Sequence, residues 1–259
     1  MTDSLSLVLL CSSAAVAGFV DSVVGGGGLI QLPALFLWLP AAEASTVAGV
    51  FGTNKLSSAC GTTLAMLQYA RRIRLNWEAL LPAAAMALIY SWLGARTVAS
   101  LRPELLKPLI LILLIAVAVY TYSRKGFGER HNPVFSGRTE KWIGVVVGAG
   151  IGFYDGFFGP GTGSFLIFIF IGVFGFDFLT ASASSKVINF TTNVAAVAYF
   201  AFTGNIHWRF AIPMAVCNVA GSLVGTRIAL TRGNRFVRAL FLIVVTALIA
   251  RFAFDVVHH

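Results

Sequence analysis

The stretch GFVDSVVGGGGLIQLP, residues 18–33, places four consecutive glycines directly after an apolar segment that carries one aspartate. A second stretch, GFYDGFFGPGTGSF at residues 152–165, has the same order of apolar segment, aspartate, glycine-rich break and apolar run. Glycine adopts positive φ readily and lets other groups approach the backbone closely. Each break therefore predicts an interrupted helix, and their recurrence predicts a chain made of two related halves.

Each half contains five apolar segments, of which the second is too short to cross a bilayer. A spanning helix needs about 20 apolar residues. Irregular backbone at membrane depth is tolerated only where it is buried in protein or lines a cavity. We therefore expect each short segment to form a re-entrant hairpin or a broken helix with its successor. The segments lie at 5–24, 29–39, 44–70, 78–99 and 105–122, and at 142–158, 164–176, 178–203, 210–230 and 236–254.

The composition places the chain in a membrane. Of its 259 residues, 58% are hydrophobic and 11% are charged, whereas soluble domains are roughly half apolar and a quarter charged. The net charge is +9, but the basic residues cluster in short gaps between apolar runs, which is typical of membrane topology. We predict an all-α polytopic protein in a lipid bilayer, with no nucleic-acid partner.

Rare residue types recur at a fixed interval. A shift of 131 residues aligns the halves without a gap from residue 55 to at least residue 116, and a shift of 134 aligns the earlier region. Matching of common apolar residues by chance does not explain such pairs, so we infer a duplication. The aligned pairs include Lys55 with Lys186, Trp77 with Trp208, Pro82 with Pro213, Arg96 with Arg227, and Asp21 with Asp155.

The distribution of basic residues indicates that the two repeats are inverted. Lys55 and Lys186 lie within segments and are not counted, which leaves 17 Lys and Arg. If each half crosses the membrane five times, 12 of these residues lie on the cytoplasmic side and 5 lie outside. Four crossings give at best 10 against 7, so the positive-inside rule favours five. We predict a first membrane repeat at 1–123, a cytoplasmic linker at 124–141 and a second repeat at 142–259, with both termini outside.

Two lysines lie well inside the third segments, where an ionisable group is costly and indicates function. Ser58 and Thr62 share a helical face with Lys55, and Asn189 and Asn193 share one with Lys186. The lysines could instead snorkel or pair with carboxylates, and the polar residues could join helices. The candidate substrate-binding residues here are Thr53, Asn54, Lys55 and Ser58, and Ser185, Lys186, Asn189 and Asn193.

The glycine breaks supply a second set of candidates. The N-terminus of a helix carries partial positive charge and unpaired N–H groups that bind anions. Two such ends with two ammonium groups would suit sulfite, a sulfonate or a carboxylate. Tight packing through small residues is the alternative interpretation. The candidates are Gly25, Gly26, Gly27 and Gly28, and Gly159, Gly161, Thr162, Gly163 and Ser164.

Asp21 and Asp155 stand just before the breaks and are the candidates for proton coupling. Each could equally cap a helix or neutralise a lysine. The sequence holds no HExxH motif and no GxSxG frame around Ser164, and its cysteines and histidines form no metal-binding pattern. We therefore expect no enzyme, no catalytic residue, no metal and no cofactor. A passive anion channel and a permease for a non-sulfur carboxylate stay open as alternatives.

These stretches, together with GTNKLSSACGTTLA at 52–65 and SSKVINFTTNVAAVAYF at 184–200, resemble the TauE/SafE sulfite and sulfonate exporter family over nearly the whole chain. The resemblance implies a multi-pass permease of the bacterial inner membrane that exports sulfite, sulfoacetate or a related organosulfur anion. The first break is four plain glycines where the second reads GPGTG, so the half-sites need not contribute equally. The sequence leaves open whether the protein is a homo-oligomer.

Overall fold

The computed structural model describes residues 3–40, 43, 46–97 and 128–257, and every regular element in these ranges is a helix. This confirms the all-α class. The predicted segment at 105–122 lies outside the described residues. The helices are α1 (Asp3–Val24), α2 (Gly27–Trp38), α3 (Val47–Ala70), α4 (Trp77–Thr97), α5 (Gly137–Phe157), α6 (Thr162–Gly172), α7 (Phe178–Phe202) and α8 (Trp208–Val257).

The helix boundaries follow the predicted segments, with two differences. Helix α5 begins at Gly137, inside the predicted linker at 124–141. Helix α8 covers the last two predicted segments, which meet at a bend where Gly233 has φ 70° and ψ −163°. Counterpart helices in the two halves begin 131 to 135 residues apart, at 3 and 137, 27 and 162, 47 and 178, and 77 and 208.

Local signals in the sequence determine where helices α2, α3, α6 and α7 begin. Gly26 and Gly161 precede α2 and α6 with φ of 94° and 83°, a conformation that glycine adopts without steric cost. The side chain of Thr46 accepts a hydrogen bond from the Gly49 N–H before α3, and that of Asp177 accepts one from the Thr180 N–H, at 2.7 Å, before α7. Such N-caps satisfy backbone donors at the helix start.

The most extensive helix contacts in the described part of the chain join the two halves. Helix α4 packs along α5, and α1 packs along α8. On α5, glycines at four-residue intervals face the backbone of α4: a Cβ added to Gly152 would lie 2.6 Å from the Ala87 Cα. On the other pair, Gly18 of α1 faces the Asn218 carbonyl. Small residues at such spacing let helices approach closely in membranes, and the described helices of both halves contribute to one hydrophobic core.

Two described helices are long and apolar enough to cross a membrane by length and hydropathy alone. They are Ser4–Val24, with a mean hydropathy of 2.0, and Trp77–Thr97, with 1.3. Helices α2 and α6 are apolar but have only 12 and 11 residues. Helices α3 and α7 have 24 and 25 residues, and their hydropathy is lowered by the lysines, asparagines and hydroxyl residues of the candidate site.

Candidate anion-binding site

The two glycine-rich breaks meet backbone to backbone. A Cβ added to Gly163 would lie 2.5 Å from the Gly25 Cα. The Ser164 hydroxyl donates to the Val24 carbonyl at 3.1 Å, and the Ser182 hydroxyl donates to the Val23 carbonyl at 2.6 Å. The end of α1 is thereby fixed to α6 and α7, and the N-termini of α2 and α6 lie beside each other.

Two ion pairs, one buried and one partly buried, cross between the halves at this point. The Lys55 Nζ on α3 donates to the Asp155 Oδ2 on α5 at 2.7 Å. The Lys186 Nζ on α7 donates to the Asp21 Oδ2 on α1 at 3.2 Å. The sequence left open whether the lysines pair with carboxylates, and in the structure both do. The attraction within a buried ion pair offsets the cost of desolvation only where the geometry is good and hydrogen bonds satisfy the remaining polar atoms.

The two ion pairs are not equivalent. The side chains of Lys55 and Asp155 are 4% and 7% exposed, while those of Lys186 and Asp21 are 0% and 20% exposed. Asp21 also accepts from the Gly27 N–H at 3.3 Å and from the Thr62 hydroxyl at 3.4 Å. Asp21 therefore both neutralises a lysine and satisfies a donor at the start of α2, the two roles that were the alternatives to proton coupling.

Side-chain hydrogen bonds connect the two ion pairs. The Lys55 Nζ also donates to the Asn193 Oδ1 at 3.2 Å, and the Asn193 Nδ2 donates to the Thr62 hydroxyl at 3.4 Å. Because that hydroxyl donates to Asp21, the network runs from Asp155 through to Lys186. Thr62 was not among the candidate site residues, although its position seven residues after Lys55 placed it on the same helical face.

A cavity of about 30 Å³ lies against this network. A cavity of that size holds about one or two water molecules. All thirteen lining residues are candidates from the sequence, and their role in binding stays a prediction. They are Asp21, Gly26, Gly28, Asn54, Lys55, Ser58, Asp155, Gly159, Gly161, Thr162, Gly163, Asn189 and Asn193.

The other candidates do not line the cavity, and most make structural contacts. Gly25 packs on Gly163, and the Ser164 hydroxyl bonds to α1, as described. The Thr53 hydroxyl donates to the Gly49 carbonyl at 2.8 Å and accepts from the His207 N–H at 3.0 Å. The Ser185 hydroxyl donates to the Ser182 carbonyl of its own helix at 2.7 Å. The Gly27 N–H donates to Asp21, and the Lys186 ammonium pairs with the same carboxylate.

Two asparagines of the cavity wall have unpaired polar atoms. The Oδ1 atoms of Asn54 on α3 and Asn189 on α7 have no hydrogen-bond partner among the described residues, and both side chains are more than nine-tenths buried. An unsatisfied buried polar group costs about 1–3 kcal/mol. A water, or a ligand that carries a hydrogen-bond donor, is therefore expected to pair with these two oxygens.

A larger, open cavity of about 710 Å³ lies where the end of α3 approaches α8. Arg71, Arg72 and Arg227 line it together with Gln68, and no acidic residue is among its described lining residues. Arg71 and Arg72 follow the end of α3, and Arg227 lies within α8. Clustered charges of one sign attract ions of the opposite sign, so we expect anions to collect in this cavity.

Comparisons with known proteins agree over nearly the whole chain. The family model described as "Sulfite exporter TauE/SafE" matches residues 10–252. The chain is 36% identical to the probable membrane transporter protein ORF9 of Sinorhizobium sp. over 97% of this chain and 94% of that one. It is 31% identical to the probable membrane transporter protein YfcA of Escherichia coli K12, over 98% and 92% of the two chains. No solved structure shows a significant match.

Proposed function

The chain belongs to the TauE/SafE sulfite exporter family, and from this premise we propose that it exports a small organosulfur anion, such as sulfite, sulfoacetate or a similar sulfonate, by alternating access. It is a membrane transporter and not an enzyme, as the sequence predicted. We place it as a multi-pass protein of the bacterial inner membrane, with both termini outside.

The observation that carries the proposal is the cavity between two helix N-termini, with the crossed lysine–aspartate pairs at its wall. Lys55 offers an ammonium donor to an anion, and the N-termini of α2 and α6 carry partial positive charge. The cavity is small, so this conformation suits a compact anion or a closed state. An anion that enters must compete with carboxylates for the ammonium groups.

The inverted repeat and its movement form the second part of the proposal. Reciprocal packing of α1 on α8 and of α5 on α4 supports a two-fold relation between the halves. Inverted repeats with discontinuous helices are a recurring plan of secondary transporters, whose sites lie where the repeats meet. Both ion pairs lie across that boundary, so a displacement of one half against the other would separate them and open the site.

A binding screen tests the substrate. Purified protein in detergent is heated with sulfite, sulfate, sulfoacetate, taurine, thiosulfate or acetate. A ligand at 100 times its Kd stabilises the folded state by about 2.7 kcal/mol and raises the melting temperature. The shift is expected with an organosulfur anion and is expected to disappear in the double variant Lys55→Met, Lys186→Met. Lys141→Met is the matched control, because that lysine makes an exposed ion pair with Glu78.

Each other outcome excludes part of the proposal. A shift with acetate alone would favour a carboxylate permease. A shift that persists in the double variant would place the site elsewhere. Currents through single proteins in a planar bilayer, with a rate that does not saturate with anion concentration, would favour a passive channel over alternating access.

A further inference from the structure

We propose that Asp21, and not Asp155, takes up one proton for each anion that binds, so that transport is electroneutral symport of one proton with one monovalent anion. This inference rests on the proposed function and assigns its coupling to one of the two carboxylates. It follows from the inequality of the two ion pairs.

The charged side chains around the cavity give an anion no net attraction as the site stands. Lys55, Asp21 and Asp155 line the cavity, and with Lys186 paired to Asp21 the four charges sum to zero. Lys186 is completely buried and is not part of the wall. Like charges at close range disfavour one another in a poorly solvated site, and Asp21 occupies the Lys186 ammonium, so an anion reaches that ammonium only when Asp21 is neutralised.

The exposure and contacts of Asp21 make it the carboxylate that a proton reaches. Its side chain is 20% exposed against 7% for Asp155, and its contact to Lys186 is 3.2 Å against 2.7 Å in the other pair. Asp21 also keeps partners when its charge is lost, because the Thr62 oxygen and the Gly27 N–H stay within reach. Among described side chains, only Lys55 hydrogen-bonds to Asp155.

The charged surroundings of Asp21 are set by the helices packed around it. Lys186 of α7 faces it directly, and Lys55 of α3 and Asp155 of α5 lie across the cavity. Tyr69 of α3 approaches the same turn through its hydroxyl, which donates to the Ser22 carbonyl at 3.1 Å. Helices α2 and α6 contain no ionisable residue. Helix α8 presents the backbone of Gly225 to this part of α1.

The step balances in charge and protons. A proton from the solution to which the cavity opens binds an oxygen of Asp21, and its contact with the Lys186 ammonium becomes a weaker one. The anion binds beside Lys186 and Lys55, while the neutral carboxyl keeps its contacts to Gly27 and Thr62. On the other side the anion leaves, Asp21 returns the proton to that solution, and the ion pair forms again. No net charge crosses with a monovalent anion.

The test uses methanesulfonate, a strong-acid anion that carries no proton itself at neutral pH. Protein in detergent is titrated with it in weakly buffered solution that contains a pH dye, and bound anion is measured by equilibrium dialysis. One proton taken up per anion is expected for the native protein and for Asp155→Asn, whatever its affinity. Asp21→Asn is expected to take up none, and Asp21→Glu to restore uptake. The four proteins are first compared by melting temperature.

A second test measures methanesulfonate flux in proteoliposomes whose membrane potential is set with valinomycin. Flux through the native protein is expected to be independent of the potential, whereas flux through Asp21→Asn is expected to change with the potential. Binding without proton uptake by the native protein would overturn the proposal, as would loss of uptake in Asp155→Asn alone. A requirement for sodium in place of protons would also overturn it. Failure of every anion to bind or move would overturn the proposed function itself, which separates the two failures.

Discussion

Replacing Lys55 with Met is expected to destabilise the protein more than replacing Lys186 with Met. The Lys55→Met variant leaves Asp155 buried, with its charge uncompensated and no other side-chain partner among the described residues. Lys186→Met leaves Asp21 with one-fifth of its side chain exposed and with hydrogen bonds from Gly27 and Thr62. The two substitutions are chemically identical, so the difference measures the surroundings of the carboxylates.

The magnitudes follow from these surroundings. Removing one partner of a buried ion pair costs about 3–5 kcal/mol, and we assign that range to Lys55→Met. A buried polar group that keeps part of its hydrogen bonding costs about 1–3 kcal/mol, and we assign that range to Lys186→Met. For a chain of this size, 1 kcal/mol corresponds to about 2–4 °C in melting temperature. We therefore expect the melting temperature to fall by about 6–20 °C in Lys55→Met and by about 2–12 °C in Lys186→Met.

The assay is thermal unfolding in detergent, followed by intrinsic tryptophan fluorescence at neutral pH without substrate. Lys141→Met serves as the control, because that lysine pairs with a mostly exposed Glu78 and surface pairs contribute about 0–1 kcal/mol. The double variant Lys55→Met, Asp155→Leu is measured beside the single variant. Replacing both partners of a buried pair by apolar residues of similar volume is often neutral, so it is expected to recover most of the lost stability.

Two results would refute this reasoning. Equal losses for the two lysine variants would mean that the exposure and hydrogen bonds of Asp21 do not distinguish it from Asp155. A double variant no more stable than Lys55→Met would mean that the loss comes from the lysine's packing and not from an uncompensated charge.

Three further predictions concern packing, capping and the network. Gly152→Ala is expected to lower the stability of the fold by about 1–3 kcal/mol, because the added methyl group overpacks against α4. Gly150→Ala has nothing within 4 Å of the added Cβ, so it is expected to be neutral or to raise the stability by up to about 1 kcal/mol. Melting temperatures check both variants. Asp177→Ala is expected to cost about 1 kcal/mol by removing the cap of α7, measured in the same way. Asn193→Leu is expected to lower anion affinity, because it removes an acceptor from Lys55 and the link to Thr62; thermal shift with sulfite checks it.

The sequence predicted the interrupted helices because their causes are local. The glycines around residues 26 and 161 lie where the backbone turns with positive φ, and the apolar runs on either side set the helix lengths. The residues of the cavity wall were also predictable. Polar side chains at helical spacing inside apolar segments avoid lipid, so they face a common protein interior.

The pairing of charges was not predictable from the sequence. Lys55 and Asp155 are 100 residues apart, and they meet because α3 and α5 both pack on α7. Nothing in the linear order distinguishes pairing within a half from pairing between halves. The inequality of the two pairs is likewise tertiary, because it depends on how deeply α1 and α5 are covered. The start of α5 at Gly137 also lay outside the predicted segment, since the polar residues 137–141 interrupt the apolar pattern.

The packing of α1 on α8 has a consequence for the order of events at the ribosome. Helix α1 ends at residue 24 and its partner begins at residue 208. At about 5–20 residues per second, α1 waits roughly 10–40 s for that partner, while α4 waits far less for α5. Throughout most of this interval Asp21 exists in the nascent chain without Lys186. An unpaired carboxylate is costly inside a membrane, so we expect the end of α1 to reach its final depth only after the second half has been made.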